Sequence, residues 1–274
     1  MLSAAVRYIR TNPLLTLGAS AVIMLVTQAV QLVVDLTLPQ PDPSALATGR
    51  VGWLAAAGQI GSALVAVVLG ALLTGLLFVV LSRAVLGQRI DVAAAWRAVA
   101  PRLPGLVGLT LLIGVVVVGV VVVVAIPAAV VAATGSGEAI LLAAVLIMVA
   151  ALVAVYLSVL WVLAPAAYVL EPIGVVAALG RSRRLVHGVW WRTFGVLLLT
   201  ALLVVVPMIV VIGVLGGLSP DPEDTGSMVR AAIGVVVASS FAMPFATGVT
   251  GLLYIDQRIR RERFDVELAR WVGL

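Results

Sequence analysis

Residues 105–133 read GLVGLTLLIGVVVVGVVVVVAIPAAVVAA, a run without one charged side chain. A helix that crosses the hydrocarbon core of a bilayer needs about 20 predominantly apolar residues. This run exceeds that length, and it has five counterparts, at about 14–38, 54–81, 139–169, 193–218 and 229–255. The spacing predicts an all-α, polytopic membrane protein of six transmembrane helices, arranged as three hairpins with amphipathic helices at the cytoplasmic interface. Composition agrees: 63% of the chain is apolar and 11% charged, whereas a soluble domain is about half apolar. Little chain remains for a soluble domain. The opening MLSAAVRYIRTN has the basic character of a signal-peptide start. The run that follows it is too long for a cleaved leader and lacks an A-x-A end, so it reads as a retained first helix. With no cysteine, disulfide and thiolate chemistry are excluded.

The charges give orientation. Every one of the 17 basic residues is Arg. Two stand before the first run (Arg7, Arg10), four after the second (Arg83, Arg89, Arg97, Arg102) and four after the fourth (Arg181, Arg183, Arg184, Arg192). Five follow the sixth run: Arg258, Arg260, Arg261, Arg263 and Arg270. The alternate loops hold only Arg50 and Arg230, with Asp42, Glu138, Asp221, Glu223 and Asp224. Short cytoplasmic loops carry the Arg excess, so both termini are expected in the cytoplasm of a bacterial plasma membrane. Tyr8, Trp96, Tyr168, Trp190, Trp191, Tyr254 and Trp271 fall at the same interface, where amphipathic rings settle. The net charge of +5 sits beside membrane spans, which argues for orientation and anionic lipid contact and not for nucleic acid.

The three hairpins look alike. Arg10-Thr11-Asn12-Pro13, Arg102-Leu103-Pro104-Gly105 and Arg192-Thr193-Phe194-Gly195 enter them, with the arginines 92 and 90 residues apart. Ile90-Asp91-Val92, Ile173-Gly174-Val175 and Phe264-Asp265-Val266 follow their exits. A fixed period suggests a duplicated unit, with repeats at 1–85, 86–170 and 171–256. Together these make one six-helix domain over 1–256, and 257–274 is a C-terminal amphipathic helix. Small residues recur every fourth position on the second helix (Gly58, Ser62, Ala66, Gly70, Thr74) and on the sixth (Gly234, Ala238, Ala242, Ala246, Thr250). A shorter ladder, Ala150, Ala154 and Ser158, lies on the fourth. Such ladders let helix backbones approach closely, in a tight bundle or an oligomer seam. Pro127, Pro165, Pro207 and Pro244 fall within the third to sixth helices, where each removes a backbone donor and can kink its helix.

The segment from Glu171 to Arg192 is the best patterned. Val175, Leu179, Ser182, Val186 and Val189 step along one face, while Arg181, Arg184, Gly188 and Arg192 occupy another. This predicts a helix lying in the interface, apolar side down and Arg side toward phosphates. Val92, Trp96, Val99 and Leu103, with Arg97 and Arg102, give a shorter version. Candidate lipid or partner contacts are Arg181, Arg184, Trp190, Trp191, Arg192, Arg97 and Arg102. The plainer alternative is that these arginines only set topology and snorkel. The tail places Phe264, Leu268 and Trp271 on one face. It pairs Asp256 with Arg260, Arg258 with Glu262, Arg261 with Asp265 and Arg263 with Glu267 at i, i+4 spacing, which suits a protein partner better than phosphate.

Catalytic chemistry is scarce. His187 is the only histidine, so a zinc site or a His-based triad has no second member. Asp35, Glu138 and Glu171 stand at helix ends, and ion-coupled transport usually shows an ionisable group within the membrane. Thr27, Gln28 and Gln31 on the first helix and Ser239, Ser240 and Thr247 on the sixth either coat a pathway or, in the commoner use, bond across helices. No enzyme, cofactor or metal is expected.

Arg181-Ser182-Arg183-Arg184-Leu185-Val186-His187-Gly188-Val189-Trp190-Trp191-Arg192-Thr193-Phe194-Gly195 resembles a stretch of a bacterial membrane-protein family. So does Leu253-Tyr254-Ile255-Asp256-Gln257-Arg258-Ile259-Arg260-Arg261-Glu262, followed by Asp265 and Glu267. The family is the one labelled glycerophosphoryl diester phosphodiesterase membrane domain. In its full-length enzymes a separate soluble domain hydrolyses phosphodiesters with His and carboxylates around a divalent metal. The sequence to Leu274 contains no such domain and one His, so the resemblance implies a six-helix, lipid-handling or partner module without the hydrolase. The expected function is a non-enzymatic membrane module whose Arg face engages anionic lipid or a membrane partner. The partner would be a protein at the tail or a second copy of the chain. The alternative is a permease-like transport subunit, its short cytoplasmic helices docking on an energising partner.

Overall fold

A computed structural model describes residues 8–10, 12–38, 53–85, 88, 90–215 and 224–262. Among them there is no strand. The helices are α1 (Ala19–Thr37, entered through a π-helical turn at Leu14–Gly18), α2 (Trp53–Val85), α3 (Val92–Val99) and α4 (Leu103–Ala132). They continue as α5 (Gly137–Trp161), α6 (Ala164–Leu170), α7 (Val175–Val186), α8 (Trp190–Val214) and α9 (Thr225–Glu262). Six helical stretches are long and apolar enough to cross a membrane: Leu15–Thr37, Trp53–Val85, Val92–Ala132, Gly137–Leu170, Trp190–Val214 and Thr225–Arg261. The chain is an all-α polytopic membrane protein, and its apolar runs lie where the sequence put them. Its contacts gather into two compact units, Met1–Leu103 with Leu197–Leu252, and Pro104–Val196 with Leu253–Leu274.

In the first unit α1 lies along α2, and α3 folds back on α2. The core is at the lower half of α2, where Leu73, Leu77, Phe78, Val80 and Leu81 are buried. Tyr8 is buried there too, its hydroxyl donating to the Leu77 carbonyl at 3.2 Å. Burial pushes that hydroxyl up from the ordinary tyrosine range, so it stays a donor. On α3 the buried stripe is Ala95 and Val99, four apart, while Val92 and Trp96 face outward. Of the apolar face expected to lie in the interface (Val92, Trp96, Val99 and Leu103), Val92 and Trp96 are exposed, while Val99 packs inward with Ala95, whose small side chain permits close approach to α2. Near the other end of α1 and α2, Gln31 Nε2 donates to Asp35 Oδ1 at 2.9 Å, and Gln59 Nε2 to the same oxygen at 3.3 Å. The glutamine thus bonds across helices as its membrane setting demands.

The small-residue ladders are used unevenly. A Cβ on Gly58 would collide with Leu38, whereas one on Gly70 would meet nothing within 4 Å. Ser62 is buried; Ala66 and Thr74 are half-buried. A Cβ on Gly234 would lie 3.4 Å from the Ile212 Cα, in van der Waals contact. Ala238 is buried, and Ala242, Ala246 and Thr250 are half-buried. A glycine outside both ladders also packs closely on the core of α2. A Cβ on Gly251 would run into Leu81 and lie 3.2 Å from two ring carbons of Phe78.

In the second unit Pro165 does more than kink a helix. The ladder of α5 stops at Trp161, and α6 restarts at Ala164 with the proline in its first turn. The expected single fourth helix is therefore two pieces. A proline inside a helix lacks its N–H and clashes with the carbonyl four residues back, here that of Trp161. Pro127, Pro207 and Pro244 remain within continuous helices. Helix α9 runs through the expected boundary at 256/257 to Glu262; the rest of the tail, with Phe264, Leu268 and Trp271, lies outside the described residues.

These packing contacts make a direct prediction. Gly251→Ala adds a methyl group where Leu81 and Phe78 already stand, and overpacking of this kind costs about 1–3 kcal/mol. Gly70→Ala adds it in open space and gains helix propensity, up to about 1 kcal/mol. Thermal unfolding in detergent should show the first variant destabilised and the second equal to or above wild type.

Candidate functional site: an arginine cluster around Glu171

The interrupted helix creates the site. Where the ladder fails between α5 and α6, the side chain of Ser182 on α7 replaces it. Its hydroxyl donates to the Leu160 carbonyl at 2.7 Å and accepts from the Leu163 N–H at 3.2 Å. Ser182 is fully buried, and Ala178, Leu185 and Val186 are buried beside it. This face of α7 packs on α5 and α6. The sequence predicted an inner face of Val175, Leu179, Ser182, Val186 and Val189 lying on lipid. The structure rotates it: Val175 and Leu179 are half-buried, Val176 is exposed, and Ala178 and Leu185 turn inward. The reason is that Ser182 must reach the broken ladder, and that requirement sets the roll of the helix.

That roll carries Arg181 to Glu171, the single acid between Glu138 and Asp221. Arg181 grips it with Nε, 3.1 Å from both carboxylate oxygens, and with Nη2, 2.9 Å from Oε1. Two residues from the end of α9 join them. The Tyr254 hydroxyl donates to Glu171 Oε1, and Arg258 Nε stands 3.5 Å from the same oxygen. The Arg258 guanidinium lies 5.9 Å over the Tyr254 ring, within cation–π range. The three charged side chains are only 14–17% exposed, so their attraction is far less screened than that of a surface pair.

A second carboxylate repeats the pattern nearer to solvent. Asp256 receives Arg192 at 3.3 Å and Arg260 at 3.0 Å. Beside that pair, Thr193 Oγ1 and Gln257 Nε2 are buried and hydrogen-bond nothing among the described residues. Arg261 has a different use. Its Nη1 donates to the Arg184 carbonyl at 2.9 Å and its Nη2 to the His187 carbonyl. A cation is favourable at the negative end of a helix dipole, here the C-terminus of α7.

Next to the turn lies an aromatic group. The Trp190 ring stacks on Phe194 at 5.2 Å and on Tyr156 at 5.6 Å, and Trp191 meets it edge-on at 4.8 Å. The Trp190 indole N–H donates to the Tyr156 carbonyl at 3.4 Å. Trp191 is 77% exposed.

Of the contacts proposed from sequence, Arg181 and Arg192 are held by carboxylates, Arg184 and Arg97 are exposed, and Arg102 is half-buried. Arg97 and Arg102 belong to the other compact unit from Arg181, Arg184, Trp190, Trp191 and Arg192. The tail pair Asp256–Arg260 is made. Arg258 reaches Glu171 and Arg261 reaches the end of α7; the side chains of their expected partners, Glu262 and Asp265, lie outside the described residues. Glu171, Tyr254, Arg258 and Arg261 are the residues that sequence reasoning missed. The signal was a lone acid among four arginines, which needs a partner wherever it is buried. Among the described residues no three His, Asp or Glu side chains converge as metal ligands would.

Glu171→Gln should leave two half-buried guanidinium groups without their carboxylate. Removing one member of a buried ion pair costs about 3 kcal/mol or more; combined with Arg181→Gln, the loss should be less than additive. Ser182→Ala orphans a backbone N–H and a carbonyl, at about 1–3 kcal/mol. Arg183→Gln, at an exposed position, should change unfolding by less than about 0.5 kcal/mol.

Residues 91–255 match a family model described as a domain of unknown function, DUF8558. The matched region includes α3 to α8, Glu171, Ser182 and Tyr254, and stops before Asp256, Arg258 and Arg261. No curated protein and no solved structure matches the chain. Since the match takes in more than half of the sequence, with both the broken helix and the carboxylate at its end, the chain belongs to the DUF8558 family.

Proposed function

We propose that this protein is a non-enzymatic module of a bacterial plasma membrane, with both termini cytoplasmic, whose basic end engages anionic lipid headgroups. The observation that carries the reading is the division of labour among the arginines. Arg181 and Arg258 neutralise Glu171 and hold α7 to α9, and Arg192 and Arg260 neutralise Asp256. Arg183 and Arg184 remain on the exposed face of α7, a few residues from the exposed ring of Trp191. Exposed arginines beside an interfacial tryptophan suit a headgroup layer: the ring settles at the interface and the cations meet phosphate. The positive-inside distribution supports the same side for both termini. The resemblance to the glycerophosphoryl diester phosphodiesterase membrane domain supports a lipid-handling module without hydrolysis.

Each arginine near an anionic surface contributes about 1 kcal/mol. Protein purified in mild detergent should therefore retain anionic phospholipid above its share of the source membrane. The Arg183→Gln, Arg184→Gln double variant should lose about 2 kcal/mol, or roughly 30-fold in affinity. Retention of lipids in the bulk ratio by wild type would sink the reading. Orientation has its own test, made simple by the absence of native cysteine. Single cysteines at Thr134 and His187 should be labelled from opposite sides of the membrane; labelling from one side would overturn the topology.

A further inference from the structure

We infer that the turn at His187–Gly188 is a seat for the phosphodiester of an anionic phospholipid, with Arg261 as its fixed cation and Arg184 as its second. This deepens the lipid reading above and rests on it. The argument begins with what each arginine's charge faces. Arg181 and Arg258 share Glu171, and Arg192 and Arg260 share Asp256. Arg261 alone among the arginines of α9 is held by two neutral acceptors, the carbonyls of Arg184 and His187. Those two bonds use two of the five guanidinium donors. They fix the group in place without cancelling its charge. The remaining donors of Arg261 are on an exposed side chain. An arginine oriented in advance in this way loses less freedom when it meets a phosphate, and its planar fork matches two phosphate oxygens.

The turn itself is built around that guanidinium. Gly188 has φ +80°, a left-handed conformation that favours glycine. A Cβ there would touch Arg261 Nη2 at 3.4 Å, so the turn lies directly against the cation, and a side chain at Gly188 would strain it. Arg183 and Arg184 stand in the last turn of α7, exposed and without an acidic partner among the described residues. Over residues 171–192 and 254–262 the charges are seven Arg against Glu171, Asp256 and Glu262. A soluble phosphate compound would account for the arginines alone. The Trp190–Trp191–Phe194 group directly after the turn, with Trp191 77% exposed, gives it an apolar flank. That combination selects a phosphate attached to acyl chains.

The test is the thermal stabilisation of the full chain in nanodiscs of phosphatidylglycerol mixed with phosphatidylcholine, relative to phosphatidylcholine alone. Taking the difference within each variant removes any basal loss from uncapping α7. Wild type should show a phosphatidylglycerol-specific upshift. Arg261→Gln and Arg184→Gln should each cut it to less than a third, and Arg230→Gln, at the opposite end of α9, should leave it whole. If Arg261→Gln does not fold, Arg261→Lys decides. It keeps the charge but loses the fork, so a reduced upshift supports the seat and a full upshift overturns it. An unchanged upshift in Arg261→Gln, with loss only in the Arg183→Gln, Arg184→Gln double variant, overturns the seat and leaves the broader lipid reading standing. No upshift in wild type overturns both. An equal upshift from millimolar inorganic phosphate, added to the phosphatidylcholine discs, overturns the lipid assignment in favour of free phosphate.

Discussion

A backbone carbonyl or N–H at membrane depth must find a partner within the protein, because hydrocarbon offers none. At the end of the fourth span, Pro165 denies the helix its own solution. The hydroxyl of Ser182 supplies the missing donor and acceptor at once, to Leu160 and from Leu163. Everything at the basic end of the second unit follows from that repair. It brings α7 against α5 and α6, sets its roll, and buries Ala178, Leu185 and Val186. The same roll leaves Arg181 beside Glu171 and turns Arg183 and Arg184 outward.

Electrostatics then completes what the hydroxyl begins. Glu171 is largely buried, and a buried carboxylate needs partners. It collects Arg181, Arg258 and the Tyr254 hydroxyl, and so ties α7 to the end of α9. Arg261 ties the far end of α7 to the same helix through backbone carbonyls. Five of the seven arginines of the cluster (Arg181, Arg192, Arg258, Arg260 and Arg261) thereby bind groups of the protein itself. This sorting matters for function, since a guanidinium bound to a carboxylate competes poorly for phosphate, and one bound to carbonyls keeps its charge.

Of the helix-packing residues, those that matter are set by the partner surface and not by periodicity. Gly58 and Gly234 stand at close approaches, and Gly70, in the same ladder as Gly58, faces open space. Gly251 belongs to neither ladder, yet it meets Phe78 and Leu81 in the core of α2. A period of four identifies a face of small residues; which member carries the contact depends on where the neighbouring helix crosses.

The sequence by itself determined the class and number of spans, since length and apolarity alone decide whether a helix can cross hydrocarbon. It also placed the arginines in four segments, because their positions relative to the spans are linear facts. The Asp256–Arg260 pair was legible too, as four residues is one turn of the same helix. Only the tertiary structure decided the face that α7 buries, the repair of the break by Ser182, and the partners of Arg181, Arg258 and Arg261. Each of those depends on an acceptor 10 to 87 positions away along the chain, brought near by packing. Periodicity within one helix cannot specify which neighbour will offer a carbonyl or a carboxylate. The division of the arginines into those that hold the fold and those that face outward is therefore a property of the fold.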